Sequence, residues 1–213
     1  NRNKLAKEYI KNSELNQIFS KERGGEKIGF ITAGLSYAYL SEALREIGVE
    51  GTFPILKLGA VYPVEEGIVT KFNKGLEKII IVEELRPFIE DRIKIIFQER
   101  GITTKVYGKD IFLSYGEFNP TLIEKVLGKH SSLFGSKKKD FDKRINDIED
   151  YNSKLNSIAI NIPKRTPNFC PGCPHRGTVY WLNIAIEEEK KYGRYYVNLG
   201  DIGCYGMASI FGK

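Results

Sequence analysis

Two cysteines stand three positions apart in Cys170-Pro-Gly-Cys173-Pro-His175-Arg176, the stretch of this chain best suited to holding a metal or moving electrons. A Pro-Gly pair between two cysteines bends the backbone so that both thiols face inward, as zinc and iron–sulfur sites require. The remaining cysteine, Cys204, lies 31 residues after Cys173 in a second glycine-rich piece, Gly200-Asp-Ile-Gly-Cys-Tyr205. Spacing leaves several chemistries open. Cys170, Cys173 and Cys204 are candidate metal or cluster ligands, with a fourth ligand missing. His175 would complete a zinc site with the three thiols. A redox dithiol or plain reduced thiols also satisfy the pattern. A thioredoxin-like unit fits less well, because a polar linker precedes the pair where that unit has a strand.

Gly200, Gly203 and Gly206 permit close backbone approach, and Asp201 offers a carboxylate to a cation or an amino group. If a strand feeds this piece, it sits at the carboxyl end of a sheet, where open parallel sheets place their ligands. The same glycines also suit a tight turn that binds nothing.

These residues need elements to position them. Residues 1–26 read as a helical lead-in closing at Gly24-Gly25. From 27 to 128, apolar runs alternate with amphipathic stretches: strands over 27–32, 52–58, 78–82 and 103–107, and helices over 36–47, 63–72, 87–100 and 120–127. Lys-Ile-Ile-Ile-Val at 78–82 is apolar on both faces, as a central parallel strand covered by helices must be. The alternation predicts a parallel sheet with helices on both faces. Residues 129–167 read as a mixed-charge linker or a segment draped over a neighbour, with a helix near 141–155 and an extended edge at Ile158, Ile160 and Ile162. A second α/β domain opens at 168, with a helix over 178–190 and a strand over 194–199 leading into Gly200.

Glu83 and Glu84 end the 78–82 strand. They read as caps of the following helix in preference to an acid–base pair. Lys57 reads either as an anion contact or as an exposed strand-end charge.

The chain has 213 residues, 41% hydrophobic and 12% aromatic, ordinary values for a globular protein. No apolar run approaches the ~20 residues that span a bilayer, and no signal peptide opens the chain. Three cysteines are too few for a disulfide scaffold, which points to a reducing, cytoplasmic setting. The net charge of +6 invites a nucleic-acid reading. Against it, Lys137–Lys139, the densest basic run, is followed at once by Asp140 and Asp142 and has no base-stacking motif beside it. The start at Asn1 and the end at Lys213 read as cuts in a longer polypeptide.

Four pieces in this order, Lys57-Leu-Gly-Ala-Val-Tyr-Pro63, Val82-Glu-Glu-Leu-Arg-Pro-Phe88, Cys170–Arg176 and Gly200–Tyr205, give the chain a resemblance to a family. It resembles the large subunit of the indolepyruvate:ferredoxin oxidoreductases, thiamine-diphosphate-dependent 2-oxoacid oxidoreductases, over residues 27–211. The resemblance implies a transketolase C-terminal-like α/β domain over 27–128. It implies the start of a pyrophosphate-binding α/β domain over 168–213.

It also implies a reaction: oxidative decarboxylation of an arylpyruvate with coenzyme A to an aryl-acetyl-CoA, carbon dioxide and reduced ferredoxin. Thiamine diphosphate with Mg2+ supplies the carbanion chemistry, and a 4Fe-4S cluster takes the electrons singly. By this likeness Cys170, Cys173 and Cys204 hold the cluster, and His175, Asp201, Ile202, Gly203 and Cys204 line the cofactor pocket. The implied partners are a small beta subunit and ferredoxin.

Departures from the family pattern matter. Gly200-Asp201 is followed by Ile202 where the family has Gly-Asp-Gly. The downstream Asn pair, the activating Glu and the ferredoxin-type cysteine tail are absent, so no catalytic residue is assigned and the isolated chain is expected to be inert. The rival readings are a zinc-binding interaction module and another 2-oxoacid:ferredoxin oxidoreductase. The Pro and Arg flanking His175 favour the indolepyruvate branch over the second rival.

Overall fold

A computed structural model describes residues 2–19, 27–157, 168–196, 203, 204 and 206. The chain divides into two compact units, Asn1–Ile158 and Ala159–Lys213.

The first unit contains helix α1 (Arg2–Asn12), strand β1 (Gln17–Phe19), β2 (Ile28–Ala33), α2 (Gly34–Ile47) and β3 (Ile55–Leu58). Then come α3 (Glu66–Asn73), β4 (Lys78–Val82), α4 (Phe88–Glu99), β5 (Lys105–Tyr107) and α5 (Pro120–Lys129). A 3₁₀ segment (Ser131–Lys137) and the long helix α6 (Lys138–Ser157) close it. The sheet order is β1-β3-β2-β4-β5. β3, β2, β4 and β5 run parallel, and β1 is antiparallel to β3 at the edge.

Alternation along β2 and β4 sends side chains to two cores. Phe30, Ile80 and Val82 meet Leu40, Leu44, Phe134 and Phe141 on the α2, α5 and α6 face. Ile31, Ile79 and Ile81 meet Val69, Phe72, Ile93 and Phe97 on the α3 and α4 face. Each such side chain, fully buried, contributes about 1.5–3 kcal/mol. The parallel α/β sheet with helices on both faces is the architecture expected from the sequence.

Three expectations are corrected. The lead-in is not helical throughout: α1 stops at Asn12, and Gln17–Phe19 joins the sheet. Asn16 drives this, its Oδ1 accepting from Gly59 N (3.0 Å) and Ala60 N (3.1 Å) and so holding the chain against the loop after β3. The approach is close enough that a Cβ at Gly59 would lie 2.2 Å from the Leu15 carbonyl oxygen. Gly24-Gly25 lies outside the described residues.

The second correction concerns the linker reading of 129–167, within which the helix expected near 141–155 is present as α6. Residues 131–157 fold onto the sheet, because Phe134 and Phe141 enter the core and Arg144 of α6 bonds Glu124 of α5. The first unit therefore extends well past residue 128, while Ile158, Ile160 and Ile162 lie outside the described residues. Thirdly, the helix after the cysteine turn, α7 (Pro174–Lys190), starts at Pro174 rather than 178, and Arg194, Tyr195 and Tyr196 form no strand. Residues 197–199 of the expected strand lie outside the described ones. No helix among the described residues is long and apolar enough to cross a membrane.

Candidate functional site

The cysteine turn is built as its residues dictate. Gly172 adopts a φ of 71°, open to glycine and costly for other residues, and Cys173 N donates to Cys170 O at 3.1 Å. Pro at the second position and Gly at positive φ in the third is the combination a type II turn selects. Cys173 is extended and precedes the helix, and Pro174 takes the first position of α7, where its missing N–H costs nothing. Arg176 N donates to Cys173 O at 3.1 Å, and the Arg176 guanidinium reaches Asn168 Oδ1 at 3.3 Å, tying both flanks of the turn together.

Cys170, Cys173 and Cys204 are all free thiols, Cys173 half-buried and the other two exposed. Cys173 Sγ lies 3.3 Å from His175 Nδ1. The turn thus brings Cys170, Cys173 and His175 onto one short segment, and Phe169 just before it is buried. Among the described residues no three His, Cys, Asp or Glu side chains gather into a group able to hold a metal ion. Gly203 has a φ of 132°, and its carbonyl accepts from Gly206 N at 3.0 Å. Asp201 and Ile202, the other two residues assigned to the cofactor pocket, lie outside the described residues.

As a donor set, two free thiols on one turn fit the chemistry of a thiophilic metal or an iron–sulfur cluster, for which they are half of the usual ligands. An imidazole in contact with one thiol also fits a zinc site.

The first unit carries a second polar constellation, at the carboxyl end of β4. Glu83 is a helix cap: its carboxylate accepts from Ile89 N (2.8 Å) and Glu90 N (3.0 Å) at the start of α4. Burial pushes the Glu83 carboxyl above its ordinary range. Glu84 accepts from Phe118 N at 2.7 Å. Lys109 donates to the Glu83 and Leu113 carbonyl oxygens and lies over the Phe118 ring, and burial holds its ammonium below the usual lysine range. The capping reading of Glu83 holds, and Glu84 ties the same loop to the start of α5. Lys57 lies over the Tyr37 ring, 4.8 Å from its centroid, a placement its sequence position did not suggest. The role of Lys109 was also unread in the sequence, since the Glu83 carbonyl that it meets lies 26 residues away.

The family model described as "Indolepyruvate oxidoreductase domain" matches residues 18–155, well over half of the chain. The chain is 35% identical over 204 residues to the indolepyruvate oxidoreductase subunit IorA of Pyrococcus abyssi, covering 96% of this chain and 29% of that protein. The IorA subunit of Thermococcus kodakarensis is equally similar, and that of Methanothermobacter thermautotrophicus is 32% identical over 197 residues. The chain therefore spans about 29% of the length of these curated relatives. Among solved structures, a split-gene transketolase, an inactive β4 tetramer, aligns with a TM-score of 0.39 at 12% identity, over 62% of this chain and 42% of that one. A likeness that loose adds nothing to the fold described above.

Proposed function

The chain belongs to the indolepyruvate oxidoreductase domain family, and from that premise we propose that it is one stretch of a subunit that oxidatively decarboxylates arylpyruvates with coenzyme A. The products are an aryl-acetyl-CoA and carbon dioxide, and two electrons leave singly to ferredoxin. The observation that carries the reading is the family match over 18–155. The cysteine turn following it in the chain agrees, because one-electron chemistry calls for thiol ligands.

In this reading Cys170, Cys173 and Cys204 hold an iron–sulfur cluster, and His175, Asp201, Ile202, Gly203 and Cys204 line the pocket of thiamine diphosphate and Mg2+. When bound, thiamine diphosphate supplies the electron sink that lets the carboxylate leave. This chain's own residues do simpler work. The Pro171-Gly172 turn holds two thiols on one segment, and the Arg176–Asn168 bond fixes the flanks of that turn. The Cys173–His175 contact sets the imidazole beside a thiol. A small beta subunit and ferredoxin are the protein partners of the reading. The 213 residues alone lack the pyrimidine-binding and Mg2+-binding segments and are inert by themselves.

The test is anaerobic: the longer subunit with its partner subunit is given indolepyruvate, coenzyme A and ferredoxin, and ferredoxin reduction is followed. Reduction that requires both substrates supports the reading, and reduction only with aliphatic 2-oxoacids moves the protein to another branch of the superfamily. Arylpyruvate oxidation by the 213-residue chain alone contradicts the assignment of the missing segments. A second reading, a zinc-binding interaction module, draws on one observation, the Cys173–His175 contact.

A further inference from the structure

Leu85 is the single non-glycine residue with positive φ among the described residues, at 56°, and it is 58% exposed. A leucine in the left-handed region costs energy, and here no burial within its own unit offsets that cost. The strain is imposed from both sides. Glu83 is fixed to the first turn of α4 through Ile89 N and Glu90 N, and Glu84 is fixed to Phe118 N. Beyond Leu85, Phe88 N donates to Arg86 O at 2.9 Å, closing the loop. Two carboxylates thus clamp the backbone in a conformation that thrusts a leucine into solvent. Local strain of this kind persists where the surroundings over-determine it and a function uses it.

The neighbourhood is apolar in the same way. The parallel strands β2, β3, β4 and β5 all end at one edge of the sheet. From the segments leaving that edge come exposed Leu35, Tyr62, Phe88 and Leu113, besides Leu85. Tyr62 and Phe88 already touch, with ring centroids 6.5 Å apart. Arg86, exposed beside Leu85, has no carboxylate partner among the described residues. Exposed apolar side chains on four segments that leave the carboxyl ends of the parallel strands, with the strained Leu85 and the exposed Arg86 among them, have the composition of a protein contact rather than of scattered surface residues.

We propose that this edge is the surface on which the remainder of the longer subunit docks, with Leu85 entering an apolar pocket and Arg86 meeting carboxylates at its rim. The inference rests on the reading above that this chain is one stretch of a longer subunit. The length of the relatives selects this occupant: the 213 residues span 29% of them, so most of the polypeptide is tethered to this unit and meets its edge at high effective concentration. Contacts between domains of one chain are the usual cover for such a patch.

The experiment uses the full-length subunit carrying Leu85→Cys, with a second protein carrying Tyr151→Cys on α6 as the exposed control (Tyr151 is 62% exposed). Maleimide labelling of each introduced thiol is timed by peptide mass spectrometry, native and in urea. The proposal expects the thiol at position 85 to react at least tenfold slower in the native subunit than in urea. The thiol at position 151 should react at similar rates in both. Adding Arg86→Glu should restore fast labelling at 85 without changing 151.

Labelling at 85 as fast as at 151 in the native subunit overturns the proposal. So does protection that arises only on adding the partner subunit, or only in a self-associated fraction on size exclusion, which reassigns the edge to those occupants. Intact mass read in the same experiment separates the two failures. A native polypeptide of 24.2 kDa sinks the longer-subunit reading itself, and the docking proposal with it.

Discussion

Phe134 and Phe141 stack nearly parallel, ring centroids 3.9 Å apart and planes 10° from each other, across a backbone kink at Gly135. Both rings are fully buried, and Phe53 packs on both. This stack draws α6 onto the sheet. Phe141→Ala is therefore expected to destabilise the chain by about 3–5 kcal/mol, the usual cost of emptying a buried phenylalanine site. Urea unfolding gives the loss, and limited proteolysis should then cut within α6 first. An unchanged midpoint would mean that α6 is a loose connector after all.

Arg144 gives α6 its second anchor. It bonds Glu124, whose side chain is 1% exposed, at 2.9 Å, and Glu46 at 2.8 Å. Arg144→Ala leaves the Glu124 carboxylate buried without its partner, for which about 2–3 kcal/mol is expected, discounted because the guanidinium is partly solvated. Combining it with Glu124→Gln should recover part of that loss. An additive double variant would refute the pairing.

Glu83 yields a pH prediction. Its folded carboxyl titrates above its ordinary value near 4.5 because of burial. The folded state therefore binds the proton more tightly than the unfolded state, and this group's contribution to stability falls as pH rises from about 4.5 through the raised value. Glu83→Gln removes that slope. It also loses one of the two cap bonds, costing about 1 kcal/mol. Denaturation midpoints of the two proteins across acid to neutral pH check this: the wild-type advantage should shrink as pH rises, and an advantage that grows contradicts the sign.

Leu85→Gly relieves the left-handed strain at an exposed position. The 213-residue chain should gain about 0.5–1 kcal/mol, net of the added freedom of its unfolded state. A loss of stability would show that Leu85 packs usefully within its own unit.

The legible parts of the fold are those written in local pattern. Lys78–Val82 announces a central strand by being apolar on both faces, and α4 by Ile89, Ile93, Ile96 and Phe97 at helical spacing. β1 has only three residues, too few for any period, and exists because Asn16 binds the loop after β3. α6 is so polar that only Phe141 and Ile148 are buried along its 20 residues. Its attachment depends on Glu124 and Phe134, which no local pattern announces.

The turn at Cys170–Cys173 was readable because Pro-Gly fixes its geometry, and the capping by Glu83 because a carboxylate before a helix start has few other uses. The left-handed Leu85 was not readable, since it results from two clamps closed by Ile89, Glu90 and Phe118 from elsewhere in the fold.

The central claim, that the cysteine turn serves electron transfer in an arylpyruvate oxidoreductase, is tested most directly by metal analysis of the full-length subunit purified without oxygen. Wild type is compared with Cys170→Ser and Cys173→Ser variants. The account predicts that each variant loses iron and acid-labile sulfide equivalent to one 4Fe-4S cluster, with zinc absent throughout. Equal iron in all three proteins, with stoichiometric zinc in wild type alone, would contradict it and hand the turn to the zinc reading.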